Sequence, residues 1–143
     1  MKIKTKEKKE NAMILTGKRK TAIAKATIKE GTGIVRVNKK PIDLFPFFQK
    51  LTLLEPLRIA EDVLKQKPNF DISVNAKGGG SESQADASRL AIAKAIIAFT
   101  KSQELKNAYL NYDRSLLVAD VRRKEMYKPG DSKARAKRQK SYR

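Results

Sequence analysis

The sequence predicts an α+β domain (α/β, two-layer), in which helices cover a small, mainly antiparallel sheet and a long, extended basic C-terminal tail follows. Three observations carry this. Apolar residues alternate with period two at 21–30, 34–38 and 70–77. They recur at spacings of three and four between and after those runs. Residues 121–143 then hold ten Lys or Arg against two acids, Glu125 and Asp131. At 143 residues one domain is expected. The division is a charged arm at 1–11, a globular body at 12–120 and the tail at 121–143.

The body takes the chain in this order. Residues 12–16 are a short apolar run that Gly17, Lys18, Arg19 and Lys20 interrupt. Ala22, Ala24, Ala26 and Ile28 share one face of the next strand, and such small side chains predict a helix packed closely on it. Gly31-Thr32-Gly33 turns the chain into a second strand at 34–38, with Val35 and Val37 opposite Arg36. These two strands are expected to pair as an antiparallel hairpin. After a turn at 38–41, Leu44, Phe47, Phe48 and Leu51 fall on one helical face, with Pro46 in its first turn. Pro56 is expected to start a separate helix that turns Leu57, Ala60, Val63 and Leu64 inward and ends before Pro68.

Phe70, Ile72, Val74 and Ala76 alternate with Asp71, Ser73, Asn75 and Lys77, the cleanest strand in the chain. Gly78-Gly79-Gly80 breaks it. Ser81 with Gln84 three residues on resembles a capping box, so a helix is expected from about 82 to 101, burying Leu90, Ile92, Ile96, Ile97 and Phe99. A short helix follows with Leu105, Ala108, Tyr109 and Tyr112. Leu116-Leu117-Val118 is expected to be a strand or a docking turn.

Charge bounds the function. Net charge is +18 with a pI near 10.2, which points to nucleic acid as the partner. With no Cys and no His the chain lacks disulfides, zinc fingers, the commonest metal ligand and the commonest general base. No metal and no cofactor are expected. No apolar run approaches the length of a membrane span, so no membrane partner is expected either. The start, MKIKTKEKKENA, lacks the apolar core of a secretory signal, and a cytoplasmic location is the default. The arm at 1–11 is either a solvated terminus or a second RNA-contacting extension.

Several stretches are candidates for binding. Lys18, Arg19 and Lys20 beside Gly17 make a focused positive spot, and the Gly is expected to let the backbone approach phosphate. The first Gly of a P-loop is missing there. Gly78, Gly79 and Gly80 lead into a helix N-terminus, either as an anion site or as a plain strand-to-helix turn. Glu82 and Asp86 are four apart, which a first helical turn explains by the dipole alone. Asp113-Arg114 and Asp120 to Arg123 look like local turn and ion-pair chemistry, and Arg122 and Arg123 begin an RNA-facing surface. In the tail, Lys133, Arg135, Lys137, Arg138 and Lys140 lie among residues no larger than Ala in apolar surface. Such a segment buries too little to offset its ordering entropy and is expected to order on a polyanion, mainly through phosphate charge. Tyr127 and Tyr142 are its only aromatics.

These stretches together resemble small-subunit ribosomal protein nine. The motifs are TGKRKTAIAKATIKEGTG at 16–33, GGGSESQADASRLAIAKA at 78–95, YDRSLLVADVRRKE at 112–125 and RAKRQKSYR at 135–143. The ending Lys-Ser-Tyr-Arg resembles the archaeal and eukaryotic branch, and the short chain looks archaeal. The resemblance implies the fold shared with the second domain of small-subunit ribosomal protein five. It implies a non-enzymatic structural constituent of the ribosome that binds small-subunit rRNA in the subunit head, beside other ribosomal proteins. It also implies that the tail reaches peptidyl-site tRNA, with Arg143 near the anticodon stem-loop supported by Lys140, Ser141 and Tyr142. The arm at 1–11 matches no motif of the family. Two other readings rest on the same residues: an enzyme holding phosphate at 78–81, such as a ribonuclease P protein component or a small-molecule kinase relative, and a basic nucleic-acid chaperone.

Overall fold

The computed structural model describes residues 12–65, 69–129 and 133–136. Five strands form one sheet: β1 (Met13–Arg19), β2 (Ala22–Glu30), β3 (Val35–Val37), β4 (Lys40–Pro41) and β5 (Phe70–Lys77). Three helices, α1 (Phe47–Leu64), α2 (Ser81–Thr100) and α3 (Gln103–Tyr112), cover one face. Short 3-10 turns at Ile42–Leu44 and Arg114–Leu116 complete the body. The result is the expected α+β fold, with a sheet that is antiparallel except for one pair.

Strand order is β1-β2-β5-β3-β4. The hairpin is therefore β1 with β2, closed by Lys20 and Thr21, with Arg19 opposite Ala22. The expected pairing of β2 with β3 does not form. β5 lies between them, antiparallel to β2 and parallel to β3. Asp71 explains the difference. Its carboxylate accepts from the amides of Thr32 and Ile34, each at 2.9 Å, so the Gly31–Gly33 turn is captured by β5 rather than folding back on β2. Gly31 carries no side chain because a Cβ there would lie 2.2 Å from that carboxyl carbon. β3 is three residues long, too short to compete with an eight-residue alternating strand for the central position. The β3–β4 turn places Asn38 and Lys39 at φ 50° and 67°, the left-handed pair that a tight type I′ hairpin needs.

Alanine makes the main interface. Ala22, Ala24 and Ala26 are fully buried and face α2, whose Ala87, Ala91, Ala93 and Ala95 are buried in return. At Gly17 the helix comes closer still: a Cβ there would lie 2.1 Å from the Ala87 carbonyl oxygen and 2.7 Å from the Ala91 nitrogen. Gly17 is buried within β1, which runs on through Arg19. Its expected role at phosphate is corrected. The glycine admits a helix, not a ligand.

One helix stands where two were expected. α1 continues through Pro56, which lies inside it. Proline removes a helix-interior amide, and the buried Tyr109 hydroxyl of α3 donates to the Pro56 carbonyl at 2.6 Å, tying the two helices at that point. The predicted apolar face of α1 exists but is not core. Leu44, Phe47 and Phe48 are 72%, 68% and 77% exposed. The opposite side, with Leu53, Leu57 and Ala60, is buried.

α2 starts one residue earlier than expected, with Gly80 as its cap and Ser81 inside it. Gln84 does reach back, but its Nε2 donates to the Gly78 carbonyl at 3.1 Å rather than closing a capping box. Leu90, Ile92 and Ile96 are buried as expected, and Ile97 and Phe99 pack partly buried against the core. α3 buries Leu105 and Tyr109 but leaves Tyr112 exposed. The 3-10 turn at Arg114–Leu116 buries Leu116, so the last apolar patch is a docking turn.

Candidate nucleic-acid interface

The β1–β2 turn, the glycine loop and the root of the tail meet at one end of the sheet. Lys20 sits in the turn with φ 52°, a left-handed conformation that costs a non-glycine residue about 1–2 kcal/mol. Gly78 and Gly79 are left-handed too, with φ 77° and 64°. A Cβ on Gly78 would lie 2.7 Å from the Thr21 carbonyl oxygen, and one on Gly79 would lie 3.1 Å from the Ala22 Cβ. The glycine loop is thus packed against the turn, which itself requires two of the three glycines. Gly80 has open space around it.

The tail crosses the same end. Arg123 Nη1 donates to the Lys20 carbonyl at 2.5 Å. Arg19, half-buried at the end of β1, is ion-paired with Asp120 and also lies 3.4 Å from Asp86 on α2. Asp120 accepts from the Arg122 side chain at 2.6 and 2.8 Å and from the Arg122 amide at 2.8 Å. These bonds, then the charges of Arg122 and Arg19, hold the Asp120 carboxyl well below the usual carboxylate range.

Between turn and tail lies an open groove of about 710 Å³ lined by Arg19, Lys20, Thr21, Arg122, Arg123 and Lys124. Five of these six are cations, and no acid lines the groove among the described residues. Lys18 lies on a neighbouring pocket with Arg19, Arg89 and Arg122. Guanidinium and ammonium groups side by side are the chemistry that can meet phosphate. Arg19 differs from its neighbours because its charge is already met by two carboxylates.

Arg89 holds the supporting corner together. Its guanidinium lies 2.5 Å from Glu55 and 2.9 Å from Asp113, and donates to the Ser115 hydroxyl at 3.2 Å. Partial burial pushes the Asp113 carboxyl up, but the Ser115 hydroxyl and amide and Arg89 outweigh it and the net direction is down. Glu82 receives Gln49 Nε2 at 2.7 Å and Asp86 faces Arg19, so these two acids serve structure.

The structure thus brings Lys18, Arg19, Lys20, Gly78, Gly79, Gly80, Arg122 and Arg123 to one end. In the tail, 121–129 have no regular structure and are exposed. Arg135 returns to Glu125 at 2.8 Å, and Ala136 turns back onto the Lys133 carbonyl. Lys137, Arg138, Lys140, Ser141, Tyr142 and Arg143 lie outside the described residues, as does the arm at 1–11.

The sheet itself carries a second cationic surface. The face of the sheet away from the helices carries Lys18, Lys25, Lys29, Lys77 and Arg36, in register across strands: Lys18 opposite Ile23, Ile23 opposite Lys77, Lys25 opposite Asn75. Asp71 is the acid on the strands of that face, and it is occupied by backbone amides of the turn at 31–34. The signal was present, since a strand that buries alternate residues must display the others. Among the described residues no cluster of acids could hold a metal ion, and no helix is long and apolar enough to cross a membrane.

Comparison with known proteins gives the same answer as the motifs. Residues 17–143 match the model of the family described as ribosomal protein S9/S16. The chain is 53% identical over 130 residues to the small ribosomal subunit protein uS9 of Methanococcus maripaludis, covering 89% of this chain and 95% of that one. It is 50% identical over 132 residues to the uS9 of Thermoplasma volcanium, covering 92% and 98%. It is 52% identical over 132 residues to that of Thermoplasma acidophilum, covering 92% and 100%. With a family model spanning the strands, the helices and the basic tail, and archaeal relatives at half identity along almost their whole length, the chain belongs to the ribosomal protein S9/S16 family.

Proposed function

We propose that this chain, by family a ribosomal protein of the small subunit and a structural constituent of it, holds small-subunit rRNA in the subunit head at its basic end and reaches peptidyl-site tRNA with its terminal residues. The observation that carries the reading is the convergence of the β1–β2 turn and the tail root around one groove lined by five cations. Lys20, Arg123 and Lys124 present charge to phosphate there, Lys18 does so from the neighbouring pocket, and Arg19 and Asp120 set the direction in which the tail leaves. Exposed Lys133 and Arg135 continue the positive track.

From this root the tail at 121–143 is long enough, if extended, to span up to about 60–70 Å. That reach suits a contact inside an RNA particle remote from the body. Arg143 carries a permanent charge and a planar fork suited to phosphate. In this reading Lys137, Arg138 and Lys140 line the path through rRNA, and Ser141, Tyr142 and Arg143 meet the anticodon stem-loop. The body at 12–120 anchors, the tail reaches, and neighbouring ribosomal proteins complete the site.

The test separates the two parts. Deleting Ser141–Arg143 leaves incorporation into small subunits intact and lowers retention of peptidyl-site tRNA. Equal tRNA retention by truncated and full-length subunits across several salt concentrations would refute the tRNA contact. Loss of incorporation on removal of Lys18, Lys20 and Lys124 supports the rRNA contact, and normal incorporation refutes it.

A further inference from the structure

An apolar surface stands on the first turns of α1 and the 3-10 turn before it, and nothing among the described residues covers it. Leu44, Phe47 and Phe48 are more than two-thirds exposed and Leu51 is 39% exposed. The two phenylalanine rings meet edge to face with centroids 5.6 Å apart, so the patch is continuous. Along the same stripe it runs into a shallow groove of about 380 Å³ lined by Leu51, Thr52, Glu55, Arg58, Ile59 and Tyr112. Exposed apolar patches of more than a few hundred Å² mark interaction sites, because leaving such side chains in water forfeits their burial free energy.

The charge around the patch selects its partner. Residues 42–64 hold four carboxylates, Asp43, Glu55, Glu61 and Asp62, against Lys50 and Arg58. That is a net charge of −2 in a chain of net charge +18. An RNA backbone is repelled by such a rim, and exposed phenylalanines bind bases only beside a cationic track for the phosphates. An anionic lipid surface demands Lys and Arg on the flanks for the same reason. A second copy would bring two chains of net charge +18 together, which works against self-association.

We propose that the face made by Leu44 of the 3-10 turn and by Phe47, Phe48 and Leu51 of α1 is the docking site for a neighbouring protein of the small subunit, one that presents an apolar anchor flanked by Lys or Arg. The anchor packs on the phenylalanine pair, and its cations meet the exposed Asp62 farther along the helix, since Asp43 is paired with Lys50 and Glu55 with Arg89. The proposal rests on membership of the subunit and not on the rRNA or tRNA contacts. It assigns an acidic, apolar face of a basic chain to protein and leaves the basic end to nucleic acid.

The test uses the full-length chain with a photoreactive benzoylphenylalanine in place of Phe48, assembled into small subunits and irradiated. The expected product is a nuclease-resistant adduct to another protein, attached at a peptide with apolar residues and Lys or Arg close by. An adduct to RNA, to lipid or to a second copy, an adduct to an acidic peptide, or no adduct overturns the proposal. Independently, a Phe47→Ser/Phe48→Ser variant keeps its melting midpoint, since neither ring is in the core. It binds an rRNA fragment as the unaltered chain does, yet is lost from salt-washed subunits roughly tenfold more readily. Unchanged retention also overturns the proposal. Failure of rRNA binding by both chains would count against the rRNA reading alone.

Discussion

Arg19 and Asp120, separated by 101 residues in sequence, form one ion pair at the point where the tail leaves the body. Asp120 shares its carboxylate with Arg122, and Arg123 reaches the Lys20 carbonyl from the next position. The first residues of the tail are therefore aimed by the body, and the cations beyond start from a set direction.

Replacing Asp120 tests that clamp. Asp120→Ala removes the acceptor of the Arg122 amide, and hydrogen exchange at Arg122 is expected to speed several-fold while the core amides of Leu116 and Tyr109 keep their rates. The clamp is also expected to hold through the physiological pH range. A carboxyl held low contributes stability that is fully present above its unfolded value of about 3.9 and is lost as pH falls through the lower folded value. Exchange at Arg122, corrected for intrinsic rate, should thus be level between about pH 5 and 8 and rise only in strong acid.

Gly17→Ala places a methyl group on the Ala87 carbonyl oxygen, where backbone on both sides cannot give way. The cost is expected to be about 3 kcal/mol or more, read as a fall in the urea midpoint. A surface glycine serving phosphate would lose affinity with little change in stability, so the two measurements together discriminate.

Tyr109→Phe keeps the packing between α1 and α3 and removes the donor to the Pro56 carbonyl. A loss of about 1 kcal/mol in unfolding free energy is expected. The phenol is pushed well above its usual range by burial, so its hydroxyl stays protonated and the difference between variant and parent should not change with pH below about 9.

Salt dependence tests the groove. Each phosphate contact contributes about 0.7–0.9 to the slope of log K against log salt. The triple variant Lys18→Ala/Lys20→Ala/Lys124→Ala is therefore expected to lower the slope for an rRNA fragment by about 2–3. Arg19→Ala should act differently, because its guanidinium already faces Asp86 and Asp120. Its loss should show first as a loosened tail root.

Much of this was legible along the chain. The alternation in β2 and β5, the alanine face that demanded a close helix and the long α2 all follow from side-chain period and size, which are local properties. The basic tail is legible for the same reason, since charge is visible without a fold. The misreadings share a cause. Adjacency favours pairing of β2 with β3, but a single carboxylate distant in sequence, Asp71, takes the turn amides and admits β5. Proline breaks a helix on average, which suggests a start at Pro56, whereas α1 is braced there by packing on α3.

Period alone identifies a face but not what covers it. The spacing of Leu44, Phe47, Phe48 and Leu51 is that of a buried stripe, and the other side of the same helix is the one that is buried. Composition and pattern settled the fold class, the positive sign of the surface and the tail, because each depends on neighbours in sequence. Which glycine meets a helix, which acid meets Arg19, and which apolar face is left for a partner depended on contacts between distant segments. Those were decided only when the sheet closed around β5 and α2 settled on its alanine face.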